Sequence, residues 1–420
     1  MCVTSPPYWG FRSYGTEPQI WGGDSECAHQ WGASIPRYNP TKHTNPATDG
    51  KHAYKPAEAL PGGHGSFCAK CAAWYGELGQ EPTVGLYIEH MVEVFRQVWR
   101  VLRKDGTLWL NLGDNYAGSG LGGCKTSTLQ SRARAWADPN DRPPGYSRQR
   151  SPEGLKPKDL IGVPWRVAFA LQQDGWWLRR DIIWDKTTCM PESVADRPSS
   201  THEYLFLLAK SRHYFYDRHA IREKHDGKRS KTSNQGGGNK RSVWRVGVSN
   251  SDLPHYAMYP PKLIEPCILS GTSAYGCCGQ CGAPWRRVVE RTEGTYAERK
   301  ARGVGGPYNR NPELRRQAVG TLTNSSYTTI GWKPSCKCEV GQLVPAVVLD
   351  PFNGAGTTGV VAIGHNRSYI GIDLSQKNIE TSMTYISTMF PLLVWRDLAE
   401  IASPSLPATL TSHVQAKVEA

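Results

Sequence analysis

Near its N-terminus the chain reads Thr4-Ser5-Pro6-Pro7-Tyr8-Trp9, a set of residues suited to holding a flat, hydrogen-bonding ligand. The exocyclic amine of a nucleobase is a poor nucleophile because its lone pair is delocalised into the ring, so a protein acting on it must fix that nitrogen as its geometry changes. The Ser5 hydroxyl and the Pro6 carbonyl can accept its two N–H bonds, Pro6 and Pro7 stiffen the backbone, and Tyr8 offers a face on which an extruded base can stack. Read alone, Ser-Pro-Pro would be an ordinary proline turn.

Far downstream lies Leu349-Asp350-Pro351-Phe352-Asn353-Gly354-Ala355-Gly356-Thr357-Thr358-Gly359. Gly354, Gly356 and Gly359 formally match the dinucleotide fingerprint, in which glycines let the backbone turn tightly against a ligand at a helix N-terminus. Asp373 follows 23 residues after Asp350, where a carboxylate can accept hydrogen bonds from both ribose hydroxyls of an adenosine cofactor. That nucleoside could belong to NAD or to S-adenosylmethionine. The competing structural reading gives the glycines only tight strand-to-helix packing.

Two cysteine constellations have metal-ligand spacing. Cys278-Gly279-Gln280-Cys281 and Cys336-Lys337-Cys338 form one set, with Cys277 a spare neighbour; two such knuckles can present four thiolates tetrahedrally. Cys27, His29, Cys68 and Cys71 form another and close the insertion of residues 30 to 67. Both insertions lack the apolar residues to fold by burial, so bound zinc contributing several kcal/mol would account for the cysteines. Free surface cysteines are the alternative. Pro266-Cys267 resembles the attacking pair of cytosine-C5 chemistry, but it lies in an apolar helical run where a small buried thiol is the usual outcome.

Positioning these groups requires a scaffold, and the hydrophobic pattern supplies one. Residues 84 to 116 read as a helix, a turn at Lys104-Asp105-Gly106 and a strand from Thr107 to Leu112. Trp165 to Gln173 is helical in pattern, Trp176 to Trp184 is a strand, and Glu203 to Ala209 is its successor. Val344 to Leu349, Thr357 to Ile363 and Ser368 to Ile372 then read as strand, helix and strand. Such alternation argues for an α/β fold with a mostly parallel sheet and helices on both faces. Three stretches, 21 to 82, 117 to 158 and 217 to 340, break the pattern and read as insertions. Arg218 to Arg245 carries nine Lys or Arg against Glu223 and Asp226, composition expected of a loop ordered by a phosphate-bearing partner.

The chain has 420 residues, with 50 Lys and Arg against 37 Asp and Glu, a formal charge of +13, 15 Trp and 19 Tyr. The length allows one large domain with insertions, the composition excludes wholesale disorder, and the charge favours a polyanionic partner. Twelve cysteines without a signal-peptide pattern argue against a disulfide scaffold. No stretch is apolar enough to span a bilayer, so a soluble, cytoplasmic protein with no membrane partner is expected.

These residues resemble a known family. Thr4 to Trp9 looks like the catalytic motif of DNA amino-methyltransferases, and Asp350 to Thr358 like their S-adenosylmethionine motif. Because the catalytic motif comes first, the order is similar to that of the permuted β-type group, whose target-recognition region lies between the two halves. Arg100 to Tyr116, Pro164 to Tyr216, His255 to Thr272 and Val344 to Ser382 also look like family segments. The resemblance implies a Rossmann-like, circularly permuted S-adenosylmethionine-dependent methyltransferase fold, here with zinc-braced insertions, in a bacterial or phage-encoded protein. His255 to Leu263 resembles the helix start that closes over the methionine part of the cofactor, which brings in Pro261 and Lys262. One departure stands out: only Met1, Cys2 and Val3 precede Thr4, so the strand before the motif is either truncated or set in register by three residues.

The expected organisation is therefore residues 1–20 and 83–216 as the catalytic half and 21–82 as a Cys/His-rich insertion. Residues 217–340 form the target-recognition region with its knuckle, within which 255–272 packs on the cofactor half. Residues 341–390 are the cofactor-binding half and 391–420 a tail. The expected activity is methyl transfer to N4 of cytosine in double-stranded DNA, since by resemblance Ser rather than Asp at the first motif position inclines to cytosine; a cognate restriction endonuclease is a conceivable partner. Ser5, Pro6, Pro7 and Tyr8 would carry the reaction. Asp350, Pro351, Phe352, Gly354, Gly356, Thr357, Thr358 and Asp373 would hold the cofactor, with Asp350 either ordering the loop or meeting the cofactor's ammonium. N6 of adenine is the alternative target. A nicotinamide dehydrogenase would leave Ser5 to Trp9 and the basic insertions unexplained, whereas a catalytically silent zinc DNA-binding protein, impaired by a truncated N-terminal strand, would account for the charge and the cysteines.

Overall fold

A computed structural model describes residues 1–11, 13–32, 65–117, 154–156, 158–189, 192, 194–223, 238–248, 258–293, 325–339 and 341–393. Most of the insertions at 30–67 and 117–158, the basic run at 224–237, the start of the His255 segment and the tail beyond 393 lie outside the described residues.

The centre is a seven-stranded sheet. Its strands are β1 (Cys2–Thr4), β5 (Thr107–Leu112), β6 (Trp177–Asp185), β7 (His202–Ala209), β8 (Val243–Arg245), β13 (Val347–Asp350) and β14 (Ser368–Gly371). Their order is β14-β13-β1-β5-β7-β6-β8, and β7 alone runs against its neighbours. The first strand has three residues, all buried, and sits between the two halves: Cys2 pairs with Leu349 on one side and Leu108 on the other, while Val3 and Thr4 pair with Trp109 and Leu110. Strands β13 and β5 thus hold β1 from both edges.

Period-two alternation divides the sheet residues between two cores. On one face Cys2, Leu108, Leu110, Phe206 and Leu208 meet Tyr87, Met91 and Phe95 of α1 (Val84–Val101), with Val167 and Leu171 of α2 (Val163–Gln173). On the other, Val3, Trp109, Leu205 and Leu207 meet Leu263, Ile264 and Ile268 of α3 (Pro261–Gly271) and Val361 and Ile363 of α4 (Thr357–Gly364). Helix α5 (Gln376–Met389) adds Ile386 there. Cys267 is fully buried in this second core, with its thiol pushed up by desolvation, so it packs rather than reacts.

Two sequence expectations need correction. The run Val344 to Leu349 is not one strand: Leu343–Val344 forms β12, which pairs with β9 (Cys277–Cys278), and the sheet strand begins at Val347. Pro345 between them has no N–H to donate to a ladder. Strand β8 falls inside the stretch 217–340 that composition sets apart, yet it is an edge strand of the main sheet and Trp244 is 5% exposed. Burial of one indole and a parallel pairing with β6 outweigh the basic composition around it.

The first insertion returns as a small antiparallel sheet of β2 (Gln19–Trp21), β3 (Ser66–Phe67) and β4 (Trp74–Gly76). The second carries a two-stranded ribbon, β10 (Arg286–Glu293) with β11 (Ser325–Lys333). Among the described residues no helix is long and apolar enough to cross a membrane.

Candidate active site

The catalytic motif leaves the C-terminal end of β1, and the glycine loop leaves the C-terminal end of the adjacent β13. In an open α/β sheet this is where ligands bind. The two loops are joined by a buried carboxylate. Asp350, 1% exposed, accepts hydrogen bonds from Thr4 Oγ1 at 2.6 Å, Thr358 Oγ1 at 2.5 Å, Tyr259 Oη at 3.0 Å and the Phe352 N–H at 3.1 Å. Burial raises its pKa against these donors. These bonds tie Asp350 to the catalytic motif, to the start of the glycine loop and to the first turn of α4.

The Ser5 hydroxyl donates to Tyr8 Oη at 3.2 Å, with Asn111 Oδ1 an alternative acceptor at 3.4 Å. Tyr8 Oη in turn lies 2.9 Å from Glu203 Oε2 and 3.0 Å from Asn111 Oδ1. Asn111 donates through Nδ2 to Glu203 Oε2 at 3.2 Å and to the Tyr204 carbonyl at 3.0 Å, which fixes the amide with its oxygen towards Ser5 and Tyr8. Lys186 forms an ion pair with the other Glu203 oxygen. Burial drives the Tyr8 phenol well above its usual value, so it remains a donor at neutral pH.

Packing sets the Tyr8 ring. A side chain at Gly113 would place Cβ 2.6 Å from Tyr8 Cε2, so glycine is required for this close approach. The Tyr87 hydroxyl donates to the Pro7 carbonyl at 2.8 Å, whereas no donor among the described residues reaches the Pro6 carbonyl, the acceptor expected for the amine. The return arm of the first insertion clasps the motif. Glu77 accepts from Ser13 Oγ at 2.7 Å and the Tyr14 N–H at 2.6 Å, and Gly10 N–H donates to the Gly79 carbonyl at 2.9 Å.

In the glycine loop, Gly354 (φ +52°) and Gly356 (φ +83°) adopt left-handed conformations. A Cβ on Gly356 would fall 2.7 Å from Ser382 Cβ, and one on Gly359 2.6 Å from Tyr369 Cε1 and Ile386 Cδ1. These two glycines therefore bring α4 close to β14 and α5, while no side chain caps α4 at Gly356. Asp373, half-buried, accepts from Gly354 N–H at 2.8 Å, Ser375 N–H at 2.8 Å and Asn378 Nδ2 at 3.1 Å. With about four acceptor sites on a carboxylate and three donors present, Asp373 keeps acceptor capacity at the end of β14. Pro351 and Phe352 are half-buried beside the loop and Thr358 is fully buried. Thr357 Oγ1 lies 3.7 Å from Met258 Sδ. Pro261 opens α3 as its first residue and Lys262 is exposed; the contacts from that segment to the loop come from Met258 and Tyr259 instead.

Both cysteine sets are brought together. The ligand atoms of Cys27, His29, Cys68 and Cys71 lie within 4.8 Å of one another, as do those of Cys278, Cys281, Cys336 and Cys338. Cys27 and Cys68 are 4.0 Å apart, near the ~3.8 Å edge of a tetrahedron with ~2.3 Å Zn–S bonds. Against burial, which raises it, N–H donors of Cys71, Gln30 and Lys70 bring the Cys68 thiol down to about 5. N–H groups of Cys281 and Gln280 bring Cys278 down to about 7. Both donor sets, three thiolates with one imidazole in the first and four thiolates in the second, suit a structural zinc ion.

Asn111, Glu203, Lys186, Tyr259 and Gly113 were not singled out by sequence. Glu203 opens an apolar run and so looks like an ordinary solvated strand end; only the antiparallel course of β7 beside β5 carries it to the motif.

Fold and site together define a nucleotide-binding α/β enzyme whose catalytic motif and cofactor loop stand side by side on adjacent parallel strands. The model of the N6/N4 DNA methylase family matches residues 1–277 and 344–384, and the chain belongs to that S-adenosylmethionine-dependent family. The type II methyltransferase M.SmaI of Serratia marcescens is 45% identical over 259 residues, 61% of this chain and 76% of that protein. M.Cfr9I of Citrobacter freundii, also a type II methyltransferase, is 32% identical over 381 residues, 91% of this chain and 79% of that protein. Among solved structures, the cytosine-N4-specific PvuII DNA methyltransferase superposes with a TM-score of 0.41 at 12% identity, covering 93% of this chain and 84% of that one. The internal stretch outside the family match, 278–343, begins and ends within the β9–β12 pair, where Cys277 faces Val344 and Cys278 faces Leu343.

Proposed function

We propose that the protein methylates N4 of cytosine in double-stranded DNA. The observation that carries this reading is Ser5, a hydroxyl rather than a carboxylate at the head of the motif, hydrogen-bonded into the Tyr8–Asn111–Glu203 group. S-adenosylmethionine, when bound, supplies a methyl group on a sulfonium centre. Gly354, Ala355 and Gly356 would cradle its methionine end and Asp373 would take one ribose hydroxyl. Ser5 and the Pro6 carbonyl accept the two N–H bonds of the amine, which aims the nitrogen lone pair out of the ring plane. Tyr8, pinned through its hydroxyl, stacks the extruded base, and no covalent bond to the protein is needed. The relatives' designation as type II methyltransferases supports modification at a defined sequence, opposite a cognate endonuclease. The test is incubation of duplex DNA with labelled cofactor and mass spectrometry of the nucleosides. N4-methylcytosine is expected; N6-methyladenine would overturn the base, and no labelled base would overturn the activity.

We also infer one structural zinc ion at each cysteine set and sequence recognition by the insertion 278–343. That segment holds eleven Lys or Arg against five Asp or Glu, and its described part is an antiparallel ribbon, a shape that fits the major groove.

A further inference from the structure

Glu203 holds a place that the methyl-transfer reading leaves unexplained. It receives Tyr8 Oη at 2.9 Å and Asn111 Nδ2 at 3.2 Å on Oε2, and Lys186 on Oε1. Tyr8 Oη lies 3.2 Å from the Ser5 hydroxyl that donates to it. Three oxygens therefore stand in line, each within hydrogen-bond reach of the next, starting at the group assigned to the target amine and ending on a carboxylate.

We propose that Glu203 is the terminal proton acceptor for the reacting amine, working through Tyr8 and Ser5. This rests on the reading that Ser5 faces that amine, whichever base bears it. As the N–CH3 bond forms and the S–CH3 bond breaks, the S–C electron pair stays on sulfur and the nitrogen acquires positive charge. One N–H bond then breaks towards Ser5 Oγ, the Ser5 O–H proton passes to Tyr8 Oη, and the Tyr8 O–H proton passes to Glu203 Oε2. The products are a neutral methylated amine, Ser5 and Tyr8 each with one proton as before, and a protonated Glu203. Its side chain is 16% exposed and that of Lys186 20%, so the proton can be surrendered to water. The chain of hydroxyls explains why Tyr8 is tied at its hydroxyl as well as stacked by its ring. Lys186 pairs with Oε1, the oxygen the proton does not reach, and Asn111 holds both ends of the line.

The experiment is single-turnover methylation of duplex DNA with labelled cofactor, in H2O and in D2O, for wild type, Glu203→Gln and Glu203→Asp, with cofactor and DNA dissociation constants measured in parallel. Wild type should show a solvent isotope effect on the methyl-transfer step. Glu203→Gln keeps an oxygen for Tyr8 but cannot take a proton, so it should be about a hundredfold slower with affinities unchanged and the isotope effect lost. Glu203→Asp should recover part of both. A Glu203→Gln rate near wild type, or a loss of affinity matching the loss of rate with the isotope effect intact, would overturn the relay while the methylated amine upholds the reading of Ser5. Wild type that methylates no exocyclic amine would bring down both.

Discussion

Thr4 and Asp350 are 346 residues apart in sequence and joined by a buried 2.6 Å hydrogen bond. The bond links the last residue of the short catalytic strand to the last residue of the cofactor strand, so the two motifs share one hydrogen-bonded anchor. Because Asp350 also holds Thr358 and Tyr259, the anchor extends to the first turn of α4 and the residues leading into α3.

Thr4→Val removes this donor at nearly constant volume and leaves a buried carboxylate short of one partner. A bond to a charged group contributes about 1.5–3 kcal/mol, and a loss of that size is expected in the free energy of unfolding from urea titration. A midpoint shift worth less than about 0.5 kcal/mol would show that the other three donors suffice.

Gly113→Ala tests how strictly the Tyr8 ring is placed. The added methyl would sit 2.6 Å from Tyr8 Cε2 and 3.5 Å from Glu203 Cδ, so the ring must move off its partners. Overpacking of this kind costs about 1–3 kcal/mol of stability, while a displacement near 1 Å at a reacting group lowers turnover by about a hundredfold. Wild-type turnover in the folded variant would mean that Tyr8 does not orient the base.

Ser5→Ala should leave the cofactor dissociation constant nearly intact and lower turnover by at least roughly tenfold, because an acceptor used at the reacting nitrogen is lost. Equal losses in cofactor affinity and rate would assign Ser5 a purely structural part.

Much of this was legible in the sequence because it depends on local pattern. Helical spacing and turn residues place α1, β5, α2 and β7 within a few residues of their observed bounds, and Cys-x-x-Cys spacing needs no tertiary knowledge. The misreadings arose where tertiary pairing prevailed. Pro345 splits an apolar run into two strands serving different sheets, and Trp244 pulls a basic segment into the sheet edge. Glu203 and Lys186 were invisible for the same reason: a salt-bridged pair at the ends of neighbouring strands has the composition of a solvated surface, and its proximity to Tyr8 follows from strand order rather than spacing.

Metal content is a sharper test of the insertions. Protein purified without chelator should carry two zinc ions per chain by elemental analysis, with Cys278→Ser and Cys68→Ser each losing one. Because Cys68 lies on the arm that returns through Gly79 to Pro7 and Tyr8, Cys68→Ser should reduce turnover as well as zinc. Cys278→Ser should loosen the ribbon, seen as faster proteolysis between residues 278 and 343. Protein with no zinc and unaltered proteolysis would leave both sets as free thiols.

The last prediction concerns where the DNA sequence is read. Strand β8 and helix α3 are structural members of the methyltransferase core, which removes them from the composition-defined stretch 217–340. What remains with a self-closed base is 278–343, bracketed by the β9–β12 pair and lying outside the family match. At that base Tyr275 stacks on Trp332 with ring centroids 5.7 Å apart, and Arg287 lies over Trp332 at 4.4 Å while pairing with Asp217 at 2.9 Å. Arg287 is thereby committed to docking the ribbon, and Arg286, Arg291 and Lys333 are its exposed basic groups among the described residues. Replacing one of these should weaken binding to all sequences alike and reduce the salt slope by about one, the signature of a phosphate contact. Exchanging the whole of 278–343 for the corresponding segment of a relative with different specificity should move the methylated sequence with it, since the β9–β12 pair marks where the segment leaves and rejoins the core. An active chimera that still modifies the original sequence would place recognition in the insertions at 21–82 or 117–158.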